Sequence, residues 1–295
     1  ALTGVVNYAN AAYQVNGSVK DSGDSIAISG NPKSQANATG IGISTDTGNI
    51  AIGTDSAAQG GNSVAIGYES KTRGNGGTAV GQGAKAGVSK DDGSASSAFG
   101  YYANAAASGS TALGFQTVAS TKQATAAGYL AAASGEGATA LGANAKSSGQ
   151  STIAISAGPN TTTASGVGSI AIGTNVTSSG TGNIATGANA NATGDGAIAT
   201  GLGSVANGNN ALAVGTNANA TGANDVALGA GSETGSRNAL TSITINGTEV
   251  GNNGKSSGTA VLAVGNSTEA RQVQYVSAGL ISADSTDAIN GSQLY

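Results

Sequence analysis

One tetrapeptide pattern governs this chain. An apolar residue, Ala, a second apolar residue and Gly return from one end to the other, with Ser or a degenerate first position tolerated. The closing residue falls at Ser29, Ser44, Gly53, Gly67, Gly81, Gly100, Gly114, Gly128, Gly142, Ser156, Gly173, Gly187, Gly201, Gly215, Gly229 and Gly265. Ten of the fifteen intervals between these markers are 14 residues. Self-similarity at a fixed period means units that bury apolar surface only by stacking on their neighbours. Fourteen residues hold two short strands and two turns, and nothing larger. The intervals of 19 and 17 carry Ser89-Lys90-Asp91-Asp92-Gly93 and Gly158-Pro159-Asn160, which read as loops extruded from a regular array.

The columns of the repeat say which way side chains point. One and three residues before the marker stand large or β-branched residues, as in Val64/Ile66, Ile170/Ile172, Leu212/Val214 and Val226/Leu228. Between them is Ala in fifteen of sixteen repeats, Gly42 being the exception. Period-2 alternation is a strand. A strand apolar on both faces is buried on both faces. The second strand differs: small residues three and five after the marker (Ser70/Thr72, Ala84/Ala86, Ala103/Ala105, Ala190/Ala192, Ala218/Ala220) flank a variable one (Lys71, Lys85, Asn104, Lys146, Asn191, Asn219, Glu233). That strand has one inward and one solvent face. A second Gly often follows seven after the marker (Gly60, Gly74, Gly135, Gly149, Gly180, Gly194, Gly208, Gly222), and two glycines per coil suit two tight turns with positive φ.

Stacked coils give two parallel sheets growing along one axis, and sixteen coils make a rod of about 75 Å at sheet spacing. A single chain would leave a whole apolar sheet face in water, and a flat apolar surface of that size is an association surface. Rotational symmetry buries every copy equivalently. Alternation alone does not decide whether the large or the Ala column meets the partner. Small residues let backbones approach most closely, so the expectation assigns the interface to Ala51, Ala65, Ala79, Ala112, Ala140, Ala171, Ala185, Ala199, Ala213 and Ala227.

Composition closes off other readings. The 295 residues include 50 Gly, 11 Lys+Arg and 15 Asp+Glu, and no Cys, His, Met or Trp. Without Cys there is no disulfide frame or thiol nucleophile, and without His no Ser–His–Asp triad and no His-ligated metal. No cofactor or metal is expected. A net charge of −4 with no basic run argues against nucleic acid. No run of apolar residues is long enough to span a bilayer as a helix. Collagen would need Gly in strict triplets. The start, Ala1-Leu2-Thr3-Gly4, has no signal-peptide character and reads as a processed or trimmed piece.

The run Asn62-Ser63-Val64-Ala65-Ile66-Gly67-Tyr68-Glu69-Ser70 resembles the NSVAIGxxS pattern of YadA-like head repeats of trimeric autotransporter adhesins. The segment from Glu269-Ala270-Arg271-Gln272-Val273 through Val276-Ser277-Ala278-Gly279 to Asp287-Ala288-Ile289-Asn290-Gly291-Ser292-Gln293-Leu294 resembles that family's neck, which ends in DAVNxxQL. The resemblance implies an all-β, left-handed parallel β-roll of 14-residue coils, homotrimeric, on the bacterial surface, its neck leading to a coiled-coil stalk and an outer-membrane barrel anchor that this sequence does not contain. It implies neck roles for Arg271, Val273, Val276, Asp287, Ala288, Asn290, Gln293 and Leu294. It also implies attachment to extracellular-matrix proteins (collagen, fibronectin, laminin) or abiotic surfaces, and cell–cell aggregation. In the family the NSVAIGxxS motif is associated with collagen binding. Here Val64, Ala65 and Ile66 belong to the doubly buried strand and read as structural.

The expected organisation is an N-terminal cap or degenerate coil at 1–24, head repeats at 25–229, an insert at 230–260 and a last coil plus neck at 261–295. Within the insert, Ser242-Ile243-Thr244-Ile245 and Thr248-Glu249-Val250 around Asn246-Gly247 read as a type I′ hairpin. Exposed ligand candidates are the variable column and the aromatics near turns: Lys71, Lys85, Lys146, Tyr68, Tyr101, Tyr102 and Tyr129. Tyr offers large contact area at low entropic cost. Gly74-Asn75-Gly76-Gly77 keeps the 14-residue register and reads as a turn, not a phosphate loop. Asp91-Asp92 reads as a solvated pair rather than a calcium site. The sequons at Asn37, Asn175, Asn191 and Asn219 follow from turn chemistry. Ser hydroxyls have no base to activate them. The alternative function is an ice- or mineral-binding solenoid, which needs a rank of identical residues, usually Thr. The variable column from Ala57 to Glu233 holds one Thr in thirteen. An acyltransferase β-helix is disfavoured by its 18-residue coil and its catalytic His.

Overall fold

The computed structural model describes residues 48–87, 94–236, 243–246, 248–250, 259–282 and 285–295, with the strands Tyr13–Val15, Ser18–Val19, Ile26–Ile28 and Asn37–Ala38. It is an all-β parallel solenoid. Each 14-residue coil gives a strand of three or four residues to a first sheet and a strand of two or three to a second. The first sheet has 16 strands, from Tyr13–Val15 to Leu262–Ala263, and the second has 14, from Ser18–Val19 to Asn219–Ala220. Successive coils pair in parallel and in strict register: Ile184, Ile198 and Leu212 stack in one row, and Ala185, Ala199 and Ala213 in the next. The ladder continues through the turns, where the Gly114 N–H donates to the Phe99 carbonyl at 2.8 Å and the Gln116 N–H to the Tyr101 carbonyl at 2.8 Å.

The core sits between the two sheets and is almost wholly methyl groups. Among the described residues every buried apolar side chain is Ala except Val176. Coils this short leave no room inside for Leu or Ile, and the remaining inward places are filled mostly by Ser and Thr, with Asn49, Asn183 and Asp225 beside them. Their hydroxyls are satisfied by turn carbonyls: Ser63 Oγ donates to Gly60 O at 2.9 Å, Ser70 Oγ to Gly67 O at 3.0 Å and Thr152 Oγ1 to Gly149 O at 2.7 Å. A buried methyl contributes only about 0.8 kcal/mol. Stability therefore comes from summing many identical interfaces along the stack.

This core reverses one expectation. Ala51, Ala65, Ala79, Ala112, Ala140, Ala171, Ala185, Ala199, Ala213 and Ala227 are all 0% exposed within the single chain, so their side chains point into the roll. They have no surface to offer another subunit. The large residues on either side of them point outward instead and are only half covered, as in Val64 and Ile66 beside buried Ala65. The physical reason is the width of the coil: the interior accommodates a methyl but not an isobutyl group.

The second glycine column also differs. From Gly53 to Gly229 the marker glycines have positive φ, 133° at Gly100, and a side chain there would overlap the Gly114 carbonyl. The column seven residues later has no such φ. Gly135 is required because a Cβ would sit inside the carbonyl of Gly149 in the next coil. The left-handed residue of that turn lies two places on, at Gly137 (φ 65°) or Ser151 (φ 55°). Torsion and close backbone approach together fix the marker rank, and close approach alone fixes the other.

At the N-terminal end, Tyr13–Val15 and Ser18–Val19 open the two sheets by pairing with Ile26–Ile28 and Asn37–Ala38. Ile26–Ile28 pairs directly with Ile50–Ile52, and the Ser44 marker lies outside the described residues. Residues 88–93, which contain Asp91-Asp92, lie outside the described residues. After Gly229, Ile243–Ile245 and Thr248–Val250 form an antiparallel pair, and Asn246 takes φ 49° at the turn between them. Leu262–Ala263 then rejoins the first sheet beside Val226 and Ala227. Asp225, 3% exposed, fixes that return: its carboxylate accepts from the N–H of Gly222 at 3.0 Å and of Val261 at 2.8 Å.

Candidate interaction surfaces

Three surfaces face away from the core. The first is the outer face of the first sheet, where two rows run along the rod. The row three before the marker reads Ile50, Val64, Thr78, Ser97, Thr111, Thr125, Thr139, Ile153, Ile170, Ile184, Ile198, Leu212 and Val226. The row one before reads Ile52, Ile66, Val80, Phe99, Leu113, Ala127, Leu141, Ile155, Ile172, Thr186, Thr200, Val214 and Leu228. Neighbours above and below cover these side chains in part, but Leu113 keeps 52% and Leu228 49% of their surface open to solvent. An exposed apolar stripe this long is not a feature of a soluble monomer.

The second surface is the turn after the marker. Tyr101, Phe115 and Tyr129 occupy the same place in three consecutive coils and stack as a ladder, with centroids 5.1 and 5.3 Å apart and planes within 8° and 13°. Tyr102 packs edge-on against Tyr101 at 4.6 Å. Tyr102 and Leu130 hold left-handed backbone, φ 51° and 55°, a costly conformation for bulky side chains that is imposed by the turn. Of the four aromatics expected from sequence, the structure brings Tyr101, Tyr102 and Tyr129 together. Tyr68 occupies the same place two coils earlier, outside the ring stack but within electrostatic reach of Tyr102. Its phenol lies above its usual pKa because it hydrogen-bonds the neighbouring Glu69 carboxylate, which also repels the phenolate. Phe115 joins the ladder and was missed, and Phe99, Leu113 and Leu130 are exposed at flanking positions of the same coils; the recurrence of aromatics one residue after Gly67, Gly100, Gly114 and Gly128 was the available signal for Phe115.

The third surface is the outer face of the second sheet, polar along most of its length. Lys71 and Lys85 are register partners on adjacent strands, and with Arg73 and Gly87 they line a hollow of about 170 Å³. Like charges directly opposite each other cost stability. Lys146 is exposed on the same face but four rungs beyond Lys85, about 19 Å along the rod at sheet spacing. The lysines are therefore a pair and a single residue, not one patch.

Beyond the last coil, side-chain amides and a carboxylate do the work of a sheet. Gln293 Oε1 accepts from the N–H of Gly279 at 2.9 Å and of Asn290 at 3.1 Å, while its Nε2 donates to Gly279 O at 2.7 Å. Asn290 Nδ2 donates to Val276 O at 3.0 Å, and Asp287 Oδ2 accepts from the Leu280 N–H at 3.0 Å. Arg271 reaches back to the roll, its guanidinium donating to Val264 O at 2.7 Å, to Ser232 Oγ at 3.1 Å and to Ala230 O. Val273 and Leu294 stay exposed, at 68% and 76%. Ala288 is exposed and its carbonyl lies against Gly279, while Val276 is half-buried.

Comparison with known families matches this periodicity. The profile of the YadA head domain repeat matches residues 50–70, 92–117, 108–131, 133–155, 160–175, 178–204 and 206–232, together just over half of the chain. The chain belongs to the YadA head repeat family. That family is adhesive and structural rather than enzymatic. Two solved structures are similar. One is the C-terminal YadA-like domain of a Burkholderia pseudomallei protein, 36% identical over 35% of this chain and 43% of that one, with a TM-score of 0.25. The other is the collagen-binding domain of the Yersinia adhesin YadA, 20% identical over 76% of this chain and 83% of that one, with a TM-score of 0.32. The chain thus spans less than half the length of the first of these. No curated protein matches it.

Within this YadA-like head the NSVAIG segment takes a definite place. Ser63 and Ala65 point inward and are fully buried, whereas Val64 and Ile66 lie on the outer face of the first sheet. No helix among the described residues is long and apolar enough to cross a membrane.

Proposed function

We propose that this chain is one subunit of a homotrimeric adhesin head displayed on the bacterial surface. The three rolls close on the outer face of their first sheets and turn the second sheets outward, toward extracellular-matrix proteins or other surfaces. The observation that carries the reading is the apolar stripe of Ile, Val and Leu on a sheet whose own core is already complete without it. Family membership supports the adhesive role. Collagen is the ligand of the Yersinia domain, and for this chain it is the first ligand to try.

Avidity follows from the architecture. Three chains, each repeating similar side chains at every rung, offer many weak equivalent contacts whose simultaneous engagement multiplies affinity. Lys71 and Lys85 are the leading ligand contacts, because their pairing costs the fold something and serves no partner among the described residues. Lys146, Tyr68 and Tyr102 are further contacts on the outward surfaces. The neck passes to a neighbouring subunit, with Val273 and Leu294 covered there, and leads to a stalk and outer-membrane anchor.

Light scattering on the purified chain tests assembly, with three times 27.6 kDa expected. Capture on immobilised collagen, fibronectin, laminin and bare plastic tests adhesion. Lys71→Gln/Lys85→Gln should lower capture on at least one matrix protein without changing the mass. Unchanged capture on every surface would remove the lysine pair from the account.

A further inference from the structure

The apolar stripe on the first sheet does not run straight. In five successive coils the row three before the marker is hydroxylic: Thr78, Ser97, Thr111, Thr125 and Thr139. The two coils before them carry Ile50 and Val64, and the six after carry Ile or another large aliphatic up to Val226. The three central hydroxylic coils are the ones that place Tyr101, Phe115 and Tyr129 on the turn. There the apolar band moves two positions toward the turn, about 7 Å at strand rise, and keeps its width.

We propose that the Tyr101–Phe115–Tyr129 ladder, with Phe99, Leu113 and Leu130, is where the middle coils meet a second copy of this chain. This rests on the trimeric assembly proposed above and says where its contact line runs. Two observations choose this occupant over a foreign ligand. A ligand platform has no reason to fall on the central coils whose far row is hydroxylic, whereas a contact line that keeps its apolar width across those three coils does. The ring faces are also consumed by one another, at 5.1 and 5.3 Å, so the ladder presents edges and flanks rather than faces on which a sugar ring or another aromatic would stack. In a rotationally symmetric trimer this patch meets a different patch of the neighbour, a heterologous contact that repeats around the axis.

The chain contains no Trp, so Phe115→Trp in the full chain supplies a single local reporter. In the assembled protein its emission should be blue-shifted and its quenching by acrylamide several-fold weaker than in the same variant made monomeric by Ile170→Glu/Ile184→Glu/Ile198→Glu. Equal quenching in trimer and monomer would overturn the ladder as an interface while leaving the trimer standing. A parent chain that runs at 27.6 kDa would overturn both. As a second readout, Phe115→Asp/Tyr129→Asp should lower the trimer fraction at a fixed concentration. Thr174→Asp, at the same turn place outside the ladder, should leave it unchanged. Equal losses, or none, would also overturn the proposal.

Discussion

The two sheets of the roll share one interior and differ only on their outer faces. Both turn Ala, Ser and Thr inward, both are paired in parallel and in register, and both end at turns punctuated by glycine. Outward, the first sheet carries mostly Ile, Val, Leu and Phe, broken by a run of Thr and Ser, and the second carries mostly Lys, Asn, Thr and Ser, broken by Val118 and Val205. The core therefore specifies the roll without selecting its partners. Partner choice lies in columns that contribute little to the fold of one chain. Inward substitutions should break the roll, first-sheet outward substitutions should break the assembly, and second-sheet outward substitutions should change only what the surface holds.

The largest effect is expected inside. Ala199→Glu puts a carboxylate where the side chain is fully buried among methyl groups, and an unpaired buried charge is strongly destabilising, by several kcal/mol. The strand signal in circular dichroism should be lost around that coil and the melting temperature should fall sharply. A folded, merely monomeric protein would instead put Ala199 on the surface. Next comes Gly135→Ala, which forces a Cβ into the Gly149 carbonyl and should cost about 1–3 kcal/mol, as overpacking does. Urea titration reads it, and a neutral outcome would mean that the backbones of adjacent coils leave room for a methyl group there.

The neck gives an intermediate case. Gln293→Ala removes the side chain that holds Gly279 and Asn290 and leaves their backbone groups unpaired, a loss of about 1–3 kcal/mol confined to residues 276–295. Hydrogen exchange at the Gly279 and Asn290 amides should accelerate while the coils stay protected. The smallest effect belongs to the second sheet, where Lys146→Glu should leave stability within about 0.5 kcal/mol and the subunit number unchanged. A loss of assembly there would exchange the roles of the two sheets.

Much of this was legible in the sequence, and one decisive part was not. The 14-residue period located the strands, and small-variable-small spacing around Lys71 correctly separated inward Ser70 and Thr72 from the outward lysine. Asn246-Gly247 marked the turn between the strands Ile243–Ile245 and Thr248–Val250. What alternation cannot give is which of two apolar columns lies inside. Val64 and Ile66 oppose Ala65 under either assignment, and only the spacing between the sheets decides, a tertiary quantity absent from any one coil. The two glycine ranks look alike in sequence for a similar reason: Gly100 is needed for its φ and its lack of volume, Gly135 for its lack of volume alone. The aromatic ladder was visible only as scattered Tyr residues until stacking placed Phe115 between Tyr101 and Tyr129.

The central claim is that subunits meet through the large outward column of the first sheet, and the mass of Ile170→Glu/Ile184→Glu/Ile198→Glu in solution tests it most directly. The account predicts a parent of three times 27.6 kDa and a variant of 27.6 kDa that keeps its strand signal. A variant that remains folded and trimeric would contradict it.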